Sequence, residues 1–74
     1  MDDVLSSLGQ RIAAVRRARN IAQYKLAKDV GISKKTLTWI ETGHTSDPKS
    51  SIVLRLAQAL NVSTDWLLGR SPHD

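Results

Sequence analysis

The stretch that decides the fold is residues 23–43, which read QYKLAKDVGISKKTLTWIETG. Apolar residues recur at helical spacing on both sides of Gly31, and very few residues separate the two halves. Gly31 can take a positive φ without a Cβ clash, as a tight turn between helices requires. Ser33 suits the start of the second half, because its hydroxyl can accept a hydrogen bond from a free N–H of the first turn. The stretch therefore predicts two short helices that cross at a sharp angle.

Four positions give this stretch a recognisable pattern. Counting from Gln23 as the first residue, Ala27 is fifth, Gly31 ninth, Leu37 fifteenth and Ile40 eighteenth. Ala27 is small where the two helices cross most closely, and Leu37 and Ile40 face back towards the core. This is the helix-turn-helix pattern, in which the second helix projects as a rod that fits a DNA major groove.

Helical spacing continues on both sides of the motif, and no strand alternation or repeat appears. We expect a first helix over residues 4–19 that ends at Asn20, and a second over 23–30 that ends at Gly31. A third, capped by Ser33, ends near Thr42 and is followed by Gly43. A fourth over 51–60 ends at Asn61, and a fifth covers 64–68 and is capped by Ser63. The sequence thus predicts an all-α domain of five helices. Its expected core positions are Leu5, Leu8, Ile12, Val15, Leu26, Ala27, Val30, Leu37, Ile40, Ile52, Val53, Leu56, Ala57 and Leu60.

Length and composition set the limits of the prediction. The chain has 74 residues, of which 41% are hydrophobic and none is cysteine. This predicts one small domain, residues 1–69, with a tail or the start of a linker at 70–74. Disulfides and thiolate metal sites are excluded, and no apolar run is long enough for a membrane span. The acidic start Met1-Asp2-Asp3 does not resemble a signal peptide, so we expect an intracellular soluble protein.

The charge is concentrated in the middle of the chain. The whole chain carries a formal charge of +4, but residues 10–49 hold nine basic and three acidic residues, a net +6. The remaining residues hold two basic and four acidic residues. A basic segment with acidic flanks indicates a polyanionic partner on one side of the molecule.

The same residues carry a family resemblance. Residues 23–43 resemble the helix-turn-helix of the phage-repressor/Cro family, the XRE-like group, and residues 54–68 resemble its fourth and fifth helices. The similarity covers about residues 8–69. It implies a lambda-repressor-like five-helix fold, and a homodimer that binds a double-stranded DNA operator. It also implies a role in transcriptional control in the bacterial cytoplasm, for a protein encoded by a bacterium or by one of its phages.

The resemblance also implies roles for individual residues. Arg16 and Glu41 match a partly buried ion pair between the first and third helices. The groove-facing positions match Ser33, Lys34, Lys35, Thr36 and Trp39. The phosphate-contacting positions match Gln23, which also buttresses the third helix, Thr42, and the loop at residues 44–49, including His44 and Lys49.

The residues themselves leave several readings open. Lys34 and Lys35 oppose the dipole of the third helix, which costs a few tenths to about 1 kcal/mol unless a polyanion compensates. They either contact DNA or form a solvated face. Trp39 falls on the outer face, where it either presses on a thymine methyl or a sugar, or packs on Lys35 and Thr36, or lies in a dimer contact. We expect Thr38 to approach base edges.

The other candidate positions have simpler readings. Tyr24 either donates to a phosphate or is only solvated. We expect Arg11, Arg17 and Arg19 to be mostly solvated, with one of them able to reach a phosphate. Residues 66–68 are expected to supply core and dimer-facing apolar surface.

The favoured function is that of a DNA-binding transcriptional regulator that acts as a repressor. Enzymatic activity is not expected. No carboxylates form a recognisable acid/base pair, no glycine-rich phosphate loop exists, and His44 and His73 are too isolated to hold a metal. We therefore expect no cofactor. The competing hypothesis is a protein-interaction module, such as an antitoxin or a regulator held by a regulatory protein partner, with Trp39 and Leu67-Leu68 as its docking surface.

Overall fold

The computed structural model describes residues 7–44 and 48–69, and every regular element within them is an α-helix. The elements are α1 (Leu8–Ala18), α2 (Gln23–Val30), α3 (Lys34–Thr42), α4 (Ser50–Leu60) and α5 (Thr64–Leu67). The prediction of an all-α, five-helix fold is confirmed, and the bounds predicted for α2 match the structure. None of these helices is long and apolar enough to cross a membrane.

Helix α1 begins later than the sequence predicts. Ser7 is extended, with φ −117° and ψ 158°, and forms a capping box with Gln10. The Ser7 hydroxyl accepts from the Gln10 N–H at 3.2 Å, and the Gln10 side chain accepts from the Ser7 N–H at 3.2 Å. The spacing of apolar residues does not reveal this cap, although the cap determines where the first turn of the helix begins. The prediction that the helix already includes Ser7 is therefore wrong, because Ser7 precedes the first helical residue. Leu5, an expected core position, lies outside the described residues.

Helices α1 to α4 end in the same way. Each is followed by a residue with positive φ: Asn20 at 56°, Gly31 at 87°, Gly43 at 86° and Asn61 at 59°. The next N–H then bonds back to a carbonyl five residues earlier, as in Ile21 to Arg16 at 3.0 Å and His44 to Trp39 at 2.9 Å. This is the Schellman arrangement, which satisfies carbonyls at the helix end. The predicted stops at all four positions are confirmed.

The five helices bury one shared core. Leu37 and Ile40 of α3 are 0% and 2% exposed, so the inward face predicted for this helix is confirmed. Leu8 and Ile52 are only partly buried and pack against the core from outside. Leu67 of α5 is fully buried, whereas its neighbour Leu68 is exposed. The core residues are Ile12, Val15, Leu26, Ala27, Val30, Leu37, Ile40, Leu56, Ala57, Leu60 and Leu67.

Two arginines inside helices donate to the ends of other helices that lie far from them in the sequence. Arg11 Nε of α1 donates to the Leu67 carbonyl of α5 at 2.7 Å, and Arg55 of α4 donates to the Val30 carbonyl of α2 at 3.3 Å. Carbonyls in the last turn of a helix lack intrahelical partners, so these bonds satisfy them. The prediction that Arg11 is mostly solvated is therefore wrong. Arg17 and Arg19 are exposed as predicted.

Candidate nucleic-acid interface

Helix α3 packs on one side only. Its apolar residues Leu37 and Ile40 face the core, whereas Lys34 and Lys35 are exposed and Trp39 is 47% exposed. The first turn of α3 contains no acidic residue. Because the N-terminal end of a helix already carries partial positive charge, the two lysines make this end a strong site of positive potential.

The start of α3 is fixed by a local hydrogen-bond pair. The Ser33 hydroxyl accepts from the Thr36 N–H at 3.0 Å and donates to the Thr36 hydroxyl at 2.9 Å. Both side chains therefore hold the first turn in shape. The lysines that follow Ser33 are the cationic groups this turn presents to solvent.

Lys35 and Trp39 lie one turn apart and touch. The Lys35 ammonium sits over the Trp39 ring, 5.0 Å from its centroid. That is within cation–π range, and residues i and i+4 share a helix face. A contact of Trp39 with Lys35 was one of the alternatives open in the sequence, there through the aliphatic carbons of Lys35, and in the structure the ammonium lies over the ring.

A buried ion pair anchors the other end of α3 to α1. Arg16 Nε donates to Glu41 Oε2 at 2.7 Å, and a second guanidinium nitrogen donates to Oε1 at 3.2 Å. Their side chains are only 11% and 4% exposed. Arg16 also donates to the Ile21 carbonyl at 2.9 Å. The guanidinium therefore joins α1, the turn after it and α3.

Gln23 extends this network from the start of α2. Its amide nitrogen donates to Glu41 Oε1 at 3.0 Å. The side chain is thus held against α3, the helix that the resemblance expects it to buttress. Its contact with a phosphate stays a prediction.

The backbones of α1 and α3 meet at Gly9, which the sequence reasoning missed. A Cβ atom at Gly9 would lie 2.7 Å from the Glu41 carbonyl oxygen, and closer still to that of Ile40. Real Cβ atoms do not approach backbone oxygens so closely, so a side chain here would push the two helices apart. The only sequence signal is a glycine inside a helical pattern, which marks a packing reason without naming the partner.

The remaining candidate phosphate contacts surround α3. The Thr42 hydroxyl donates to the Thr38 carbonyl at 2.8 Å and lies 2.8 Å from His44 Nδ1. Tyr24 is 68% exposed on α2, and Lys49 is exposed at the start of α4. Residues 45–47 of the predicted loop at 44–49 lie outside the described residues, as do the tail at 70–74 and His73.

In the described part of the chain, no group of three His, Cys, Asp or Glu side chains comes together that could hold a metal ion.

The structure brings Lys34, Lys35 and Trp39 together on one exposed surface, which we call the outer face of α3. Thr38, one turn after Lys34, is partly buried.

Known proteins resemble this chain in sequence and in fold. A sequence model of the family "Helix-turn-helix domain" matches residues 9–70. The uncharacterized HTH-type transcriptional regulator RghRB of Bacillus subtilis is 35% identical over 69 residues, which are 93% of this chain and 50% of that protein. This chain thus spans about half the length of the curated relatives it matches.

Solved structures confirm the lambda-repressor-like architecture. The P22 c2 repressor, solved with a synthetic operator, has a TM-score of 0.82 and 35% identity, covering 89% of this chain and 98% of that one. SinR, solved in a complex with SinI, has a TM-score of 0.78 and 30% identity, covering 82% of this chain and 59% of that one. With five helices, a motif turn at Gly31 and a family match over most of its length, the chain belongs to the helix-turn-helix domain family.

Proposed function

We propose that this chain is the DNA-binding part of a sequence-specific transcriptional regulator that acts as a repressor. It inserts α3 into the major groove of a pseudo-palindromic operator, in the cytoplasm of a bacterium or as a phage product, and its role is binding rather than catalysis. The observation that carries this proposal is the outer face of α3, a cationic and aromatic surface on a helix held from behind. The similarity to a repressor solved with its operator supports it.

In this proposal the side chains in and around α3 have three roles: some shape the motif, some approach base edges and some contact phosphates. Residues 1–69 form the binding domain and 70–74 a tail or linker, while Arg16, Glu41, Ala27 and Gly31 shape the motif. Base edges are approached by Ser33, Lys34, Lys35, Thr36, Thr38 and Trp39. Phosphates are contacted by Gln23, Tyr24, Thr42, His44 and Lys49.

Replacing Lys35 with alanine is expected to weaken DNA binding about five- to hundredfold, the range for losing one good base contact. If Lys35 neutralises a phosphate instead, the slope of log affinity against log salt falls by about one. Fluorescence anisotropy between 50 and 200 mM salt measures both quantities, on a duplex selected from a random pool. Lys28→Ala, an exposed lysine in the last turn of α2, is the matched control. Unchanged affinity and slope in Lys35→Ala count against the proposal.

The proposed regulator acts as a homodimer. One helix-turn-helix contacts only a few base pairs, so two copies about one helical turn apart are needed to read a specific site. A groove between α4 and α5 offers the contact surface, because Leu54 and Leu68 on its rim are 49% and 39% exposed. Pro48 and Val53 also line this groove, and the rest of its lining carries hydroxyl groups: Ser50, Ser51 and Thr64. The apolar surface offered to a second copy lies mainly at the two exposed leucines.

Sedimentation with and without operator DNA tests this assembly. We expect two chains per duplex, and a loss of about tenfold in the affinity of the second copy when Leu54 becomes asparagine. The matched control is Ala59→Asn, which places the same residue on an exposed α4 position outside this groove. One chain per duplex, or equal effects of the two substitutions, contradicts the proposed dimer surface.

The second candidate function is a protein-interaction module such as an antitoxin. The same groove favours it, and so does the likeness to SinR, which was solved with SinI. The salt titration separates the two functions. A chain without salt-dependent DNA affinity that binds one protein partner stoichiometrically supports the interaction module.

A further inference from the structure

The outer face of α3 contains a cation that is already positioned. The Lys35 ammonium lies 5.0 Å from the centroid of the Trp39 ring. Among the described residues, no hydrogen bond or ion pair joins Lys35 to a carboxylate or a carbonyl. A lysine on a free stem samples many rotamers. The indole face restricts Lys35 to a smaller set.

The two side chains offer complementary chemistry to a base pair edge. An ammonium donates hydrogen bonds and accepts none, so in the major groove it matches the O6 and N7 acceptors of guanine. Apart from its Nε1–H donor, the rim of an indole is apolar, so it matches the C5-methyl group of thymine. Because Trp39 is 47% exposed, part of its ring remains free for such a contact while Lys35 covers one face.

The spacing of the two groups sets the spacing of the bases. The ammonium and the ring centroid are 5.0 Å apart. Successive base pairs rise about 3.4 Å. Two groups this close together address base pairs that are one or two steps apart.

We propose that Lys35 and Trp39 form one reading unit that selects a G·C pair within two steps of a T·A pair in each operator half-site. Trp39 acts in two ways, as a direct contact to thymine and as a positioning residue for Lys35. This inference rests on the proposed insertion of α3 into the major groove. It adds that the two positions are energetically coupled, so the preference for guanine depends on the ring.

The coupling is measured on the selected duplex with two modified bases. Replacing guanine by 7-deazaguanine removes N7, and the ratio of the two Kd values is the guanine preference. Replacing thymine by uracil removes the methyl group, and the corresponding ratio is the thymine preference. Each ratio cancels general losses of affinity.

Four variants and the control Lys28→Met give the expected pattern. Lys35→Met brings the guanine preference to about one. Trp39→Leu keeps an apolar side chain but removes the ring, and lowers the guanine preference about two- to fivefold, the range for an exposed cation–π contact. Trp39→Tyr restores most of it. The double variant Lys35→Met/Trp39→Leu matches Lys35→Met, and Lys28→Met leaves the guanine preference unchanged.

Three results overturn the inference. The first is a guanine preference that is equal in Trp39→Leu and the parent chain. The second is a thymine preference that does not change when Trp39 is replaced by alanine. The third is a selected motif without G·C and T·A pairs within two steps of each other. Each of these leaves salt-dependent binding by the parent chain intact, whereas failure of the proposed function removes that binding itself.

Discussion

Replacing Glu41 with alanine is expected to lower the free energy of unfolding by about 3–5 kcal/mol, the range for removing one partner of a buried ion pair. The substitution leaves the Arg16 guanidinium, which is 11% exposed, without its carboxylate. It also removes the acceptor of the Gln23 amide. A charge left buried without a partner costs more than the intact pair contributes. In a domain this small, the loss leaves a large unfolded fraction at room temperature.

Urea titration followed by far-ultraviolet circular dichroism measures the effect. The matched control is Asp29→Ala, which breaks the Lys25–Asp29 pair on the surface of α2, where the side chains are 58% and 44% exposed. Exposed pairs of this type contribute about 0.3–0.5 kcal/mol. The double substitution Arg16→Met/Glu41→Leu should recover much of the stability, because it leaves no charge unpaired. Equal losses in Glu41→Ala and Asp29→Ala contradict the assigned role.

Replacing Gly9 with alanine is the second large effect, with an expected loss of about 2–3 kcal/mol. Alanine usually stabilises a helix interior relative to glycine by about 1 kcal/mol, so the expected sign is the reverse of the helix propensity. The reason is that the new Cβ would meet the carbonyl oxygens of Ile40 and Glu41. Backbone atoms cannot rotate out of the way as a side chain can, so α1 and α3 must separate.

Thermal and urea unfolding of this variant are compared with those of Gly43→Ala. Nothing lies within 4 Å of a Cβ atom at Gly43, whose φ is +86°. The control therefore carries left-handed backbone strain alone, at about 1–2 kcal/mol. A Gly9→Ala variant that is as stable as the parent chain would show that the close approach of the two helices is not required.

The parts of the fold that were predictable from sequence are those that local chemistry decides. Gly31, Gly43, Asn20 and Asn61 are the residue types that accept positive φ, and each ends the helix where expected. Ser33 is an N-cap residue by its own hydroxyl. The inward face of α3 follows from helical periodicity, which needs no knowledge of the partner helices.

The parts that sequence reasoning missed depend on contacts between distant residues. Arg11 and Leu67 are 56 positions apart, and nothing near Arg11 indicates that a carbonyl of α5 will accept its hydrogen bond. Gly9 likewise approaches Ile40 and Glu41 of α3 only in the folded chain, so its neighbours in the sequence do not indicate the contact. Only the start of α1 was missed for a local reason, since the capping box of Ser7 and Gln10 was visible in the sequence and was outweighed by the apolar stripe.

The candidate site also has features that the local sequence predicts and features that it does not. The exposure of Lys34, Lys35 and Trp39 follows from their helical positions. Packing of Trp39 on the aliphatic carbons of Lys35 was one of several alternatives for Trp39, because the i, i+4 spacing permits a contact without requiring it. Rotamer choice decided it, and rotamers are not encoded by spacing.

The attachment of α3 through Leu37, Ile40 and Glu41 has a consequence for how such a chain acquires new targets. Everything that fixes this helix lies behind it or at its ends, so the amino acids at Lys34, Lys35 and Trp39 are under little demand from folding. Duplicated copies can therefore diverge at these three sites and recognise different promoters while sharing one scaffold. An engineer can exploit the same separation by randomising them and leaving the rest of the molecule untouched.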